Sequence, residues 1–217
     1  MIIAIDGPSG SGKSTLGRML AHALKLLYID TGSMYRAVAL AVIEGGVNPN
    51  DKEAVTALAQ RIEIDLEGDP DSLSVLLHGR DVTDQIRTES VTEMSSIVST
   101  IPGVRRAMVE RQRAISKRGA VLNGRDIGTV VFPDADVKFF LTAVPEERAE
   151  RRFKEEQTAG ASASFAETLA DMIERDRRDS TRADSPLKVA DDAVVIDSTG
   201  KSIEQVFEEM LERVNHG

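Results

Sequence analysis

The chain has 217 residues and carries 27 Lys and Arg against 36 Asp and Glu, a formal charge of −9. Apolar residues at 41% rule out a disordered chain, and the length allows one compact unit with a real buried core. Aromatics at 4% without Trp, in an acidic protein, argue against a nucleic-acid partner, and the lack of Cys removes thiolate chemistry and Cys-ligated zinc and fits the cytoplasm.

Residues 2–6 are a short apolar run that predicts a buried strand, and residues 7–12 are a glycine loop. This opening is no signal peptide, and no run in the chain approaches the ~20 residues of a membrane span. From Lys13 onward, Leu16, Met19, Leu20, Ala23, Leu24 and Leu27 follow helical spacing. A brief strand at 27–30 leads to a helix at 33–43 closed by Gly45-Gly46, and a further helix is expected at 51–61.

The rhythm then changes to a period of two. Ile62, Ile64 and Leu66 alternate with Glu63, Asp65 and Glu67, and Leu73, Val75 and Leu77 alternate again after a Gly-Asp-Pro-Asp turn. Residues 62–88 therefore read as a small antiparallel insertion with one wet face.

Pro102 opens a helix to 118, and strands follow at 120–123 and 137–141. Pro145 begins an Arg-rich helix, residues 158–164 form a flexible small-residue break, and Ser164 with Glu167 makes a capping box. A last strand at 193–196 precedes a helix capped by Ser202 and Gln205. Five short buried strands alternating with helices predict an α/β fold with a parallel sheet covered on both faces.

Gly7-Pro8-Ser9-Gly10-Ser11-Gly12-Lys13-Ser14 matches the G-x-x-x-x-G-K-[ST] phosphate loop in full. Its glycines let successive backbone N–H groups point at phosphate oxygens, and the helix N-terminus adds partial positive charge. Lys13 would reach the β- and γ-phosphates, and the Ser14 hydroxyl can ligate Mg²⁺, with Asp30 acting through water. The chain thus binds a nucleoside triphosphate. The three histidines, His22, His78 and His216, are poorly situated as general bases. An acceptor that is itself a phosphate is already ionised near pH 7 and needs none. It needs cations, and 19 of the 27 basic residues are Arg, whose planar fork suits phosphate.

Arg175, Arg178, Asp179 and Arg182 share one helical stripe, and Arg148, Arg151 and Arg152 lie on the helix before it. Two readings stand: a lid closing over phosphates, or a solvated helix laced with ion pairs worth ~0.3–0.5 kcal/mol each. Gly124-Arg125-Asp126 follows a buried strand directly, where ligands gather in an open parallel sheet, and Asp30-Thr31-Gly32 with Tyr35 and Arg36 holds the same position after the second strand. Spacing alone leaves Arg105 an ordinary exposed helix residue.

The phosphate loop through Thr15, Asp30-Thr-Gly-Ser-Met-Tyr-Arg36, Asn123-Gly-Arg-Asp-Ile-Gly-Thr-Val-Val-Phe-Pro133, Glu174-Arg-Asp-Arg-Arg-Asp-Ser-Thr-Arg182 and Asp197-Ser-Thr199 together resemble the bacterial cytidylate kinases over essentially the whole chain. The resemblance implies a three-layer α/β/α P-loop fold with a five-stranded parallel sheet. Its core would be 1–30, 102–147 and 190–217, its monophosphate-binding region 31–101 with the β insertion, and its helical lid about 148–182. It implies ATP as donor with Mg²⁺, CMP and dCMP as acceptors, and a monomer with no nucleic-acid or membrane partner. Lys13, Arg125, Arg175 and Arg178 would carry the transfer. Thr31, Arg36, Arg125, Arg175 and Arg182 would meet the acceptor phosphate, Asp179 the sugar, and Ser96, Arg105 and Asp126 the cytosine, with Tyr35 and Gly124 alongside. Gly-Lys-Ser-Thr stands where some relatives have Gly-Lys-Gly-Thr, so Ser14 and Thr15 both remain candidates for the Mg²⁺ hydroxyl.

A carboxylate beside an Arg fork complements cytosine. Uracil would set acceptor against acceptor, at about 1–3 kcal/mol. Other readings are a UMP or AMP kinase, a guanine-nucleotide switch, for which no Asn-Lys-x-Asp signature exists, and a nucleic-acid ATPase, which charge and scarce aromatics disfavour.

Overall fold

Five parallel strands form the central sheet of the computed structural model, which describes residues 1–158 and 162–216. β1 (Ile2–Asp6) lies in the middle, between β6 (Ala120–Gly124) and β7 (Val137–Thr142), with β2 (Leu27–Asp30) and β8 (Val194–Asp197) at the edges. The order β2-β6-β1-β7-β8 is the five-stranded sheet expected from the apolar runs. Because every pairing is parallel, the strands' carboxyl ends emerge along one edge, with Asp6 opposite Gly124 and Asp30 opposite Asn123.

The pleat sends alternate residues to two cores. Ile3, Ile5, Phe139, Leu141 and Ile196 pack against α1 (Lys13–Leu24) and α8 (Ile203–His216) through Leu16, Leu20, Val206 and Met210. Ala4, Ile29 and Leu122 face α2 (Thr31–Glu44) and α5 (Pro102–Ile115) through Met34, Val38, Val104 and Met108. Burial on both faces explains why these strands read as continuous apolar runs.

The second core continues beneath α3 (Lys52–Arg61) into the insertion. There β3 (Ile64–Glu67), β4 (Ser74–Leu77) and β5 (Arg80–Asp81) form a three-stranded antiparallel sheet, with Ile64, Val75 and Leu77 buried and Asp65 and Glu67 exposed. The period of two is thus accounted for. α6 (Pro145–Thr158) and α7 (Phe165–Thr181) form a helical pair, α7 starting from the expected Ser164–Glu167 capping box. Of the break expected at 158–164, residues 159–161 lie outside the described residues.

Boundaries differ where caps decide them. α2 starts at Thr31, two residues early, because the Asp30 carboxylate accepts from the Gly32 N–H at 3.1 Å. α1 stops at Leu24, since Lys25 turns left-handed and frees Leu27 for β2. The predicted helix 102–118 tightens after Ile115 into a 3₁₀ turn, Ser116–Arg118. One helix, α4 (Glu89–Val98), was not anticipated. Its buried Val91, Ser95 and Val98 are helically spaced, but the Ser and Thr among them obscure an apolar stripe.

Candidate active site

The phosphate loop runs from the end of β1 into α1, as its motif requires. Gly7 has φ +146°, and a Cβ there would lie 2.1 Å from the Leu141 carbonyl; at Gly10, φ +73°, it would lie 2.6 Å from the Arg148 carbonyl. Only glycine lets the loop lie this close to β7 and α6. The buried Lys13 ammonium folds back to donate to the Pro8 carbonyl and, at 3.3 Å, to Ser11 Oγ. Burial, helped by Arg125 and Arg175, holds its pKa well below the ordinary lysine range.

Ser14 and Thr15 are exposed on the first turn of α1. In the amide orientation that satisfies both ends, Asn123 accepts from the Ser14 and Tyr28 hydroxyls at 3.0 and 3.1 Å. It donates to the Ile29 carbonyl and Asp30 Oδ1 at 3.1 and 3.2 Å. Ser14 therefore turns its hydrogen inward and leaves lone pairs outward, while Thr15 makes no hydrogen bond through its side chain. No cluster of three or more His, Cys, Asp or Glu fit to hold a metal exists among the described residues.

The sheet's carboxyl edge gathers the predicted acceptor residues. Thr31 is buried and donates to the Asn123 carbonyl at 2.7 Å, so its hydroxyl can only accept from a ligand. Arg125, following β6, donates through Nε to Asp179 Oδ2 at 2.8 Å. Arg182 reaches Asp179 Oδ1 at 3.5 Å and Asp126 Oδ1 at 3.9 Å, and donates to the Ser185 carbonyl. Burial pushes the Asp179 carboxyl up, but Arg125, Arg175 and Arg182 outweigh it and hold the group below its ordinary range. Asp179 thus pairs with Arg125 across the fold and with Arg182 three residues on.

Arg36 and Arg175, half-buried, make no hydrogen bond or ion pair. Burial lowers the pKa of both, and Arg125 and Arg152 lower each further; Arg175 falls to about 10. Guanidiniums that repel one another without carboxylate partners form a site for an anion. Arg178 stands outside this group, 41% exposed and 3.7 Å from Glu174.

Arg105 is not the exposed residue its spacing allowed. It is 2% exposed, donates to Asp126 and to the Ser99 carbonyl (3.1 Å), and lies 5.5 Å over the Tyr35 ring. Ser96 is half-buried one turn before Ser99 on α4. Two of the three expected lid arginines are tied elsewhere. Arg148 is buried against the phosphate loop, and Arg151 bonds the Ser198 side chain and carbonyl at 3.0 Å each, because α6 lies along the sheet edge. Arg152, paired with Glu156 at 2.7 Å, stays near the cationic group.

Asp6 escaped the sequence reading. Its buried carboxylate accepts from Ile127 N and Gly128 N at 2.8 and 2.7 Å, fixing the π-helical turn Ile127–Val131 behind Asp126. Burial raises its pKa to about 6 despite those bonds. Its only signal was a polar side chain at the end of an otherwise apolar strand, a signal Asn123 shares.

A family model described as Cytidylate kinase matches residues 3–216. The cytidylate kinase of Citrifermentans bemidjiense is 49% identical over 211 residues, covering 97% of this chain and 91% of the relative. That of Solibacter usitatus is 51% identical over 217 residues, covering 99% and 92%. That of Halalkalibacterium halodurans is 47% identical over 212 residues, covering 97% and 96%. Among solved structures, an uncharacterized protein from Eubacterium ventriosum matches with a TM-score of 0.57 over 100% of this chain and 99% of its own, a likeness of fold alone at 11% identity.

Proposed function

The chain belongs to the cytidylate kinase family, and we infer from that membership and from the site that it transfers a phosphoryl group from ATP to CMP. The observation that carries the reading is the combination of Arg36 and Arg175, cations that make no ion pair or hydrogen bond, with a buried Arg105–Asp126 pair.

ATP phosphates bind the phosphate loop and Lys13. The monophosphate of CMP is held by Arg36, Arg125, Arg175 and Arg182, with Thr31 as acceptor, and cytosine meets Asp126, Arg105 and Ser96 beside Tyr35. The acceptor, a phosphate monoester with a second pKa near 6, attacks as its dianion, so no group needs to remove a proton. All three histidines are exposed, in accord with this. Lys13, Arg125 and Arg175 neutralise the charge that spreads over the transferring group, Arg178 joins them from its place outside the group only when the lid closes, and alignment with neutralisation makes up the catalysis. Mg²⁺ travelling with the ATP phosphates adds charge neutralisation. Ser14, whose hydrogen turns inward to Asn123 and whose lone pairs face outward, would hold it, with Asp30 through water, and few protein ligands would be needed because Mg²⁺ keeps most of its own waters.

Residues 31–101 form the acceptor region and about 148–182 the lid in this reading, dCMP is a second acceptor, and the enzyme works as a monomer, since one chain supplies every residue named. No helix among the described residues is long and apolar enough to cross a membrane, and the cysteine-free composition supports the cytoplasm. The test is kcat/KM with ATP across CMP, dCMP, UMP and AMP. CMP and dCMP should lead; a preference for UMP or AMP would overturn the cytosine assignment.

A further inference from the structure

One guanidinium joins the donor loop to the helix that carries the acceptor arginines. Arg148, in the first turn of α6, is only 6% exposed. Its Nε donates to the Ala143 carbonyl just past β7 at 3.0 Å. Its Nη1 donates to the Ser9 carbonyl of the phosphate loop at 3.0 Å and to Asp176 Oδ2 of α7 at 2.6 Å. The contact continues through the backbone, since Gly10 lies so close to the Arg148 carbonyl that no side chain fits between them.

We propose that Arg148 is a positioning residue: through Asp176 it fixes where α7 presents Arg175 relative to Lys13 and the phosphate loop. This rests on the phosphoryl-transfer reading above.

Around Arg175, α7 has two polar anchors, three residues apart; a further bond, from Thr168 Oγ1 to Glu156 of α6 at 2.9 Å, lies two turns earlier. Asp179 is held by Arg125 at the acceptor end, and Asp176 is held by Arg148 at the donor end. A helix turn is stiff, so these anchors set the position and rotation of the segment between and beside them. Arg175 is next to Asp176 and one turn before Asp179. It makes no hydrogen bond of its own, so no directional bond competes with its helix in aiming it.

Asp176 depends on Arg148. Its Oδ1 is buried without a hydrogen-bond partner, leaving the bond from Arg148 as its link to the rest of the fold. Arg148 in turn has donors fixed in a planar fork, which reach Ala143, Ser9 and Asp176 simultaneously. A lysine would keep the charge and lose that geometry. Arg151 and Arg152 do not duplicate the role, because they bond Ser198 and Glu156.

The test compares wild type with Arg148→Lys and Asp176→Asn in steady-state kinetics with ATP and CMP, per folded molecule, and in thermal melts with and without sulfate. Both variants should lower kcat about tenfold or more while each KM moves less than about threefold, since misalignment harms the transition state rather than binding. The double variant should be no worse than the worse single, because both changes break one link. The rise in Tm that sulfate produces in wild type should fall by at least half in both. Should Arg148→Lys fold poorly, the nearly isosteric Asp176→Asn decides. A kcat within twofold of wild type with an unchanged sulfate response overturns the proposal, whatever the change in Tm. If wild type fails to phosphorylate CMP, the function reading falls, and the sulfate response still decides the role of Arg148.

Discussion

Arg105 and Asp126 form an ion pair in which neither side chain is more than 7% exposed, and the Tyr35 ring lies under the guanidinium. Burial would lower the Arg105 pKa, but Tyr35 and Asp126 outweigh it and raise the group above its ordinary value. Removing one partner of such a pair leaves a buried charge uncompensated. Asp126→Asn should therefore lower Tm by several degrees, equivalent to about 3 kcal/mol. It should also cut the CMP-over-UMP ratio of kcat/KM about tenfold or more, since an amide can face uracil with a donor. Melting curves and kinetics with both nucleotides check it; an unchanged ratio would remove Asp126 from base selection.

Lys13→Ala should lower kcat about 100-fold or more, as loss of a charge that stabilises the transition state does. Its Tm should stay within about 3 °C of wild type or rise. The buried ammonium, held well below its ordinary pKa beside Arg125 and Arg175, contributes no stability that the fold would miss. A large drop in Tm would mean the lysine also holds the loop together through Pro8 and Ser11.

Asp179 has two tasks to separate. It holds Arg125 at 2.8 Å and Arg182 at 3.5 Å, so Asp179→Ala should harm turnover of CMP and dCMP alike by freeing both arginines. If it also reads the 2′-hydroxyl, CMP should lose about tenfold to a hundredfold more, the worth of one hydrogen bond to a charged group. Equal losses would confine it to ordering the arginines.

Asp6 should leave a pH signature in stability. Its pKa rises from 3.8 to about 6 on folding, worth about 3 kcal/mol. The folded state then binds the proton more tightly than the unfolded one, so this contribution is complete below pH 4 and is lost as the pH rises through 6. Asp6→Asn keeps the shape without the titration. The Tm advantage of wild type over this variant should be largest at pH 4 and shrink towards pH 7. A gap that widens with pH would mean the Ile127 and Gly128 N–H groups favour the carboxylate more than burial penalises it. Stability is the better readout here, because CMP titrates near pH 6 itself.

The five strands, the antiparallel insertion and the phosphate loop were legible because each rests on local physics: apolar runs, a two-residue period, and glycines at fixed offsets. The helix 89–98 was not, because Ser and Thr at its inner positions carry no apolar signal. The lid arginines were legible only as a class. Arg148, Arg151 and Arg175 all lie on helices, yet one is buried against the loop, one bonds Ser198, and one has no partner. Helical period cannot tell these apart, since it is blind to the element packed opposite.

The chain's local order thus determined that a glycine loop fit for phosphate would lie between β1 and α1, for backbone curvature and helix charge need nothing from afar. Which arginines are bound to carboxylates and which make no ion pair was decided by contacts across 28 positions from Arg148 to Asp176 and 54 from Arg125 to Asp179. Charge pairs form by proximity in space, and only the folded sheet and its flanking helices create that proximity.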